Sequence, residues 1–269
     1  MHSGLASVLH DLNIEYFSVL DYRDCVEYAP RIMKRESFTP RSVIMYLLPY
    51  YTGECDNISR YAASLDYHIA ISEVNSRIVE YLSSTFPDAS YRGYGDHSPI
   101  DERHAALVSG LGILGLSGLL INEKYGTYVF IGDVITDIEP ELIGAVRPRE
   151  IAKCNGCGAC LAACPTGVLR DESCDCLSAI TQRKGSLTPD EEALMRRYNT
   201  AWGCDECQCV CPHNGSPVPT PIGFFYRERL ASLDRGILDG MDDETFSRRA
   251  FAWRGRAVLE RNLAVLSEK

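Results

Sequence analysis

Ten of the twelve cysteines in this 269-residue chain lie between Cys154 and Cys211. Four fall in the stretch CNGCGACLAACP, spaced Cys154-x2-Cys157-x2-Cys160-x3-Cys164-Pro165. This spacing holds an iron–sulfur cubane, and in two-cluster runs the fourth cysteine ligates the other cluster. Three thiolates must converge from one tight loop. The x2 spacing brings them together, the glycines permit the turns, and the proline redirects the chain. A second run, Cys204-x2-Cys207-x3-Cys211-Pro212, repeats the first at an offset of 47 residues. By that offset Cys154 has its counterpart at Ala201, so the second run is one ligand short. One cluster is therefore assigned Cys154, Cys157, Cys160 and the distant Cys211. The other takes Cys204, Cys207, the distant Cys164 and one further cysteine. Cys174, Cys176 and Cys209 are the candidates. Cys209 lies inside the x3 spacer and is expected to point away, and spacing alone does not separate Cys174 from Cys176. Two four-cysteine zinc sites would also use CxxC pairs, but zinc needs neither the third cysteine at x2 nor the Cys-Pro ending. Cys25 and Cys55 stand alone and read as small buried apolar residues.

A cysteine cluster of this kind belongs in a reducing compartment, where metal binding prevails over disulfides. The rest of the chain agrees with a cytoplasmic protein. No apolar run approaches the roughly 20 residues of a membrane helix. The start, MHSGLASVLHDLN, lacks the basic and apolar regions of a secretory signal. The net charge of −10 argues against broad, non-specific binding to nucleic acid.

The fold class expected is α/β. It comprises an N-terminal α/β domain (1–147), a ferredoxin-like two-cluster domain (148–215), and a proline-rich linker with a helical tail (216–269). SVIMYLLPYY (Ser42–Tyr51) reads as a buried strand. Val74, Ile78 and Leu82 mark one face of a helix that ends near Pro87. LLIN (Leu119–Asn122) and TYVFIGDVIT (Thr127–Thr136) read as a strand pair joined around Gly126. The intervening Gly93–Gly118 stretch is too glycine-rich in its second half for a regular element, and such a loop lets a backbone approach a ligand closely. In the tail, Arg248, Arg249, Arg254, Arg256 and Arg261 read either as a solvated helix face interleaved with acids or as a phosphate-contacting patch.

Two cubanes alone do not need 150 residues in front of them. Here the chain resembles the epoxyqueuosine reductase family of cobalamin-dependent iron–sulfur enzymes, which finish queuosine in tRNA. It is similar, more remotely, to reductive dehalogenases. The segments that carry the resemblance are ISRYAASLDYH (Ile58–His68), GDHSPIDERHAA (Gly95–Ala106), GLGILGLSGLLIN with GTYVFIGDVITDI, CLSAITQRKGS (Cys176–Ser186), GCDECQCVCPHN, and RNLAVL near the end. The resemblance implies a reductive-dehalogenase-like cobalamin-binding domain in front of the clusters, and it selects Cys176 over Cys174 as the fourth ligand. It places the catalytic aspartate at Asp96. Asp66, His68 and Arg103 match other active-site positions, with Arg60, Tyr61 and Tyr67 in the pocket and Gly110, Gly112 and Gly115 in a glycine loop beside the ring. A carboxyl at Asp96, shielded from water, would have a raised pKa and could deliver a proton.

Each residue also has a plainer reading. Asp96 could cap a turn. Asp66-Tyr67-His68 could start a helix, and Arg103 could pair with Glu102 at the surface. The chain departs from the family pattern at Leu116-Ser117, where a Lys-His pair is usual. It also stops where the family's C-terminal helical repeats begin. With the charge of −10, these departures set a small organic substrate beside tRNA as an alternative. A ferredoxin-like carrier without cobalamin is the third reading. The enzyme readings require an external low-potential donor (ferredoxin, flavodoxin or a flavoprotein) and no membrane.

Overall fold

The computed structural model describes residues 3–171 and 173–267. It divides into two compact units, Met1–Pro49 with His68–Asn155, and Tyr50–Tyr67 with Gly156–Lys269. These are not consecutive segments of the chain. Residues 50–67 leave the N-terminal unit because their backbone is bonded into the second: the Ser59 N–H donates to the Trp202 carbonyl, and Asn57 Nδ2 donates to the Leu233 carbonyl.

The first unit is built on four antiparallel strands in the order β1-β2-β6-β3. They are β1 (Phe17–Asp21), β2 (Ser42–Pro49), β3 (Tyr91–Tyr94) and β6 (Val129–Thr136). Its helices are α1 (Ser3–Asp11), α2 (Pro30–Met33), α3 (Tyr67–Thr85, of which Tyr67 clusters with the second unit), α4 (Glu102–Val108) and α5 (Pro140–Ile143). Every residue of β2 is buried, as a continuous apolar run requires when both faces of a sheet are covered. One face packs with α4: Val43, Met45, Leu47 and Ile135 share a core with Ile100 and Ala105–Val108. On the other face the Tyr46 hydroxyl donates to Asn75 Oδ1 of α3, and α3 buries Ile71, Val74, Ile78 and Leu82 at helical spacing.

The expected hairpin does not form. β5 (Leu120–Ile121) pairs with β4 (Ile113–Leu114), while β6 lies between β2 and β3. Only an isolated bridge, Asn122 to Gly126, joins the two stretches. Five of the eight β6 residues are buried, and pairing with the fully buried β2 covers them as a two-stranded ribbon could not. The glycine-rich stretch also carries more regular structure than expected, namely the end of α4 and the two residues of β4.

The second unit contains α6 (Ala159–Ala163), α7 (Leu177–Gln182), α8 (Pro189–Arg197), α9 (Glu206–Cys209), α10 (Arg235–Gly240), α11 (Asp243–Ser247) and α12 (Arg256–Ser267). α6 and α9 begin 47 residues apart and pack on each other, so the internal repeat of the cysteine runs is realised as a pair of matching short helices. A core of Trp202, Phe251, Leu233, Leu259 and Leu263 binds the tail to the cysteine module. The fully buried Asn262 of α12 donates to the carbonyls of Thr181 and Ala201. The tail is helical as read, although Glu268 and Lys269 lie outside the described residues. Its arginines form neither a uniform solvated face nor a phosphate patch. Arg249 is buried and donates to the Glu228 carbonyl, Arg256 donates to that of Leu238, and Arg261 donates to those of Arg183 and Gly185. Arg254 stacks on Trp253 at 3.7 Å, and Arg248 pairs with Glu228 at 3.2 Å.

Candidate functional site

In the second unit, Cys204 and Cys207 stand within electrostatic reach of each other and of Cys176, and Cys207 also feels Cys164 and Cys160. Burial pushes the Cys204 and Cys207 thiols up to about 12, with the neighbouring cysteines adding to it. At Cys164 burial raises the thiol's pKa, but the backbone N–H groups of Leu169, Thr166 and Gly167, together with the Thr166 hydroxyl, outweigh it and hold the group below its ordinary value. A thiolate cradled by amides is ready for iron. The structure therefore brings Cys160, Cys164, Cys176, Cys204 and Cys207 into one neighbourhood, which holds the four thiols a cubane needs. The other two candidates for the fourth ligand have partners of their own. Cys174 Sγ donates to the carbonyls of Thr166 and Asp171, each at 3.3 Å. Cys209 Sγ accepts from Arg60 Nη1 at 3.1 Å. Among the described residues no three His, Cys, Asp or Glu side chains converge closely enough to hold a single ion. The thiolates of a cubane each bind a different iron. Ala201, where the second run lacks its cysteine, is fully buried in the Trp202 core.

Cys154 closes the first unit. Its N–H donates to the Leu114 carbonyl, and the Leu114 N–H donates to that of Ala152. The segment leading into the first cysteine run is thus zipped to the glycine loop. Within that loop the glycines serve the chain's own packing. A Cβ at Gly112 would lie 2.6 Å from the Ile121 carbonyl oxygen, and one at Gly115 would lie 3.2 Å from that of Leu119. Gly110 adopts φ +84°. Arg103 Nη1 donates to the Gly118 carbonyl at 2.7 Å, so Arg103 secures this loop.

The same unit brings His68 and Asp96 together. His68, in the first turn of α3, places Nε2 3.7 Å from Asp96 Oδ2, and the two side chains are 46% and 54% exposed. Asp96 is a non-glycine residue at φ 65°, a left-handed position that marks a constrained turn. The expected shielding of Asp96 from water is not provided by the protein itself. The side chain stands at the surface because the left-handed turn presents it outward, next to a cavity of about 370 Å³ lined by His68, Ile71, Asn75, Arg92, Tyr94 and Gly95. The other pocket residues named from the sequence belong to the second unit. Arg60 binds Asp205 through its backbone N–H at 2.7 Å and through Nη1 at 3.1 Å, and it also pairs with Glu54. The Tyr61 hydroxyl accepts from Trp202 Nε1 at 2.7 Å. The Asp66 N–H donates to the Arg248 carbonyl, and Tyr67 opens α3.

Beneath Asp96 lies a group that sequence reasoning missed. The Asp96 N–H donates to Glu102 Oε1 at 3.2 Å. Glu102 in turn reaches Asp133, a fully buried aspartate on β6 that accepts from the Ser98 hydroxyl at 3.1 Å. Desolvation, above all, pushes both carboxyls upward. The available signal was Asp133 itself, an acid inside the otherwise buried strand run VFIGDVIT.

Residues 153–214 match the family described as a 4Fe-4S double cluster binding domain. The epoxyqueuosine reductase of Aliivibrio fischeri is 31% identical over 195 residues, covering 70% of this chain and 51% of that protein. The chain thus spans about half the length of that relative. The epoxyqueuosine reductase of Leadbetterella byssophila is 30% identical over 239 residues, covering 85% of this chain and 78% of the relative. A crystal structure of an epoxyqueuosine reductase with an epoxyqueuosine-modified tRNA-Tyr stem loop superposes with a TM-score of 0.77 at 20% identity, over 98% of this chain and 80% of that one. That last likeness is one of fold. With nearly a third of positions identical across most of both chains, the protein belongs to the epoxyqueuosine reductase family.

Proposed function

We propose that this chain is a two-cluster, cobalamin-dependent reductase that removes the epoxide oxygen of epoxyqueuosine in tRNA. The observation that carries this reading is the His68–Asp96 pair beside an open cavity, in a chain that also holds two repeated cysteine runs. One cubane takes Cys154, Cys157, Cys160 and Cys211. The other takes Cys164, Cys176, Cys204 and Cys207, the four supported by their shared neighbourhood.

The glycine loop suits a large ring with an apolar face. Leu116 is 46% exposed there, between Gly115 and Gly118, which carry no side chain. Leu116, Gly118 and Arg103 would lie against such a cofactor, with Asp96 and His68 at its edge. Cobalamin, when bound, supplies low-valent cobalt chemistry. The protein's own part is to bind, orient and hold protons. Reducing an epoxide to an alkene consumes two electrons and two protons and releases the oxygen as water. Asp96 donates one proton to that leaving oxygen from its carboxyl, and His68 beside it orients the carboxyl and makes good the proton. Water exclusion at the half-exposed Asp96 falls to the bound cofactor and substrate. Electrons enter from an external low-potential ferredoxin, flavodoxin or flavoprotein.

A second reading keeps the machinery and exchanges tRNA for a small organic substrate. It is favoured by the net charge of −10 and by the arginines Arg249, Arg256 and Arg261, whose guanidinium groups are engaged with backbone carbonyls rather than presented to phosphate. Anaerobic purification with added cobalamin, followed by metal counting and assay on an epoxyqueuosine-modified stem loop, tests both. About eight irons and one cobalt per chain with stem-loop conversion supports the first. The same metals without tRNA binding favour the second. Iron without cobalt removes both and leaves an electron carrier.

A further inference from the structure

The first unit pairs a buried carboxyl with a half-buried one, and no step above uses them. Asp133 projects from the middle of β6 and is fully buried. It stands opposite Met45 of β2 and Tyr94 of β3 in the ladder, on the sheet face that packs with α4. Its Oδ2 accepts from Ser98, but its Oδ1 meets no N–H or O–H donor. The neighbour within hydrogen-bonding reach is the Glu102 carboxyl, at the first position of α4. Two carboxylates repel each other in a buried site, and they can bond only if one carries a proton. Asp133 accepts from Ser98 as well as from Glu102, which favours its charged form, so the proton resides on Glu102. The other oxygen-rich end of this arrangement faces the loop, where Glu102 Oε1 accepts the Asp96 N–H.

We propose that Glu102 and Asp133 hold a single proton between them, and that this shared proton makes Glu102 the positioning residue for Asp96. While the pair is singly charged, Glu102 is held against Asp133 and its free oxygen fixes the Asp96 backbone in its left-handed turn. When the proton leaves, repulsion across the pair drives Glu102 away and the Asp96 turn loses its acceptor. Among the described residues, Tyr94 from β3, Tyr22 and Cys25 from the segment after β1, and Tyr46 on the opposite face of the sheet each feel a charge on Asp133 as repulsive, and Asp96 presses on Glu102 in the same sense. The meaning given to the Asp96 turn rests on the reading of Asp96 as proton donor. The shared proton does not.

Infrared difference spectroscopy of the iron-loaded protein tests the proton without turnover or substrate. At neutral pH the wild type has a protonated-carboxyl stretch that shifts in D2O and disappears on alkalinisation. Glu102→Gln and Asp133→Asn each abolish it. Absence of the band in the wild type, or its survival in both variants, overturns the shared proton. Amide hydrogen exchange of residues 94–98, corrected for the intrinsic pH dependence of exchange, tests the positioning. Protection in the wild type is lost as the infrared band titrates. In Glu102→Gln, whose amide accepts from Asp96 and donates to Asp133 at any pH, protection persists. In Glu102→Ala it is lost throughout. Protection in Glu102→Gln that titrates like the wild type overturns the positioning role, whichever substrate the enzyme proves to reduce.

Discussion

A side chain in this protein does what its immediate partners allow. Cys174 and Cys176 are two residues apart, yet Cys174 is bonded to carbonyls of its own loop while Cys176 stands beside Cys204 and Cys207. Cys176→Ala is expected to lower the iron content by about four atoms per chain, and Cys174→Ala to leave it unchanged, as read by colorimetric iron analysis. At Asp96, the proposed proton donor, Asp96→Asn keeps the shape and removes the acid. Turnover should fall by about 10²–10⁴, the usual contribution of a positioned general acid, while iron content and the ultraviolet–visible spectrum stay those of the wild type. Asn262 is a further case of partners setting the role. Its amide satisfies two carbonyls from separate parts of the cysteine module. Asn262→Leu strips them of that donor and should cost about 1–3 kcal/mol, visible as a lowered Tm by circular dichroism.

At the scale of elements, the glycine loop is shaped by what it packs on. A methyl group at Gly112 would collide with the Ile121 carbonyl, which cannot withdraw because β5 pairs with β4 there. Gly112→Ala should destabilise the first unit by about 1–3 kcal/mol, measured by urea unfolding. The elements that were legible in the sequence are those whose signal is local. β2 is a continuous apolar run, and α3 repeats its apolar residues at helical spacing. The cysteine runs carry their spacing openly, and their repeat offset reappears as the α6–α9 pair. What was not legible depends on residues far apart in the chain. The pattern of TYVFIGDVIT marks β6 as a strand but says nothing of its partners, which lie more than 30 residues away on either side of the sheet. Arg256 and Arg261 look like surface charges because the carbonyls they bind belong to other segments. Glu102 looks like one half of a surface ion pair because Asp133, its real partner, comes from the middle of a distant strand. Ala201 is legible as a gap, but only the Trp202 core explains it.

Across the whole molecule, the two units should answer differently to the loss of iron and to pH. Metal binding and folding are coupled, so chelating the iron anaerobically should raise amide exchange across residues 156–211 while β2 and β6 stay protected. For pH, the folded first unit keeps a proton on Glu102 and Asp133 that the unfolded chain releases in the ordinary carboxylate range. Their contribution to stability is complete below that range and is lost as pH rises through the higher folded-state values. The urea midpoint of the wild type should therefore fall on going from neutral to alkaline pH, and Glu102→Gln should flatten that fall. The bonds made by Asn262 also set an order of events during synthesis. The last cysteine of the runs, Cys211, precedes Asn262 by about fifty residues, which a ribosome takes on the order of several seconds to add. Through that interval the ten thiols of the cysteine module are outside or leaving the ribosome before the helix that closes over the Thr181 and Ala201 carbonyls exists. The nascent chain thus depends on its surroundings to keep those thiols reduced and unpaired until that helix has been added.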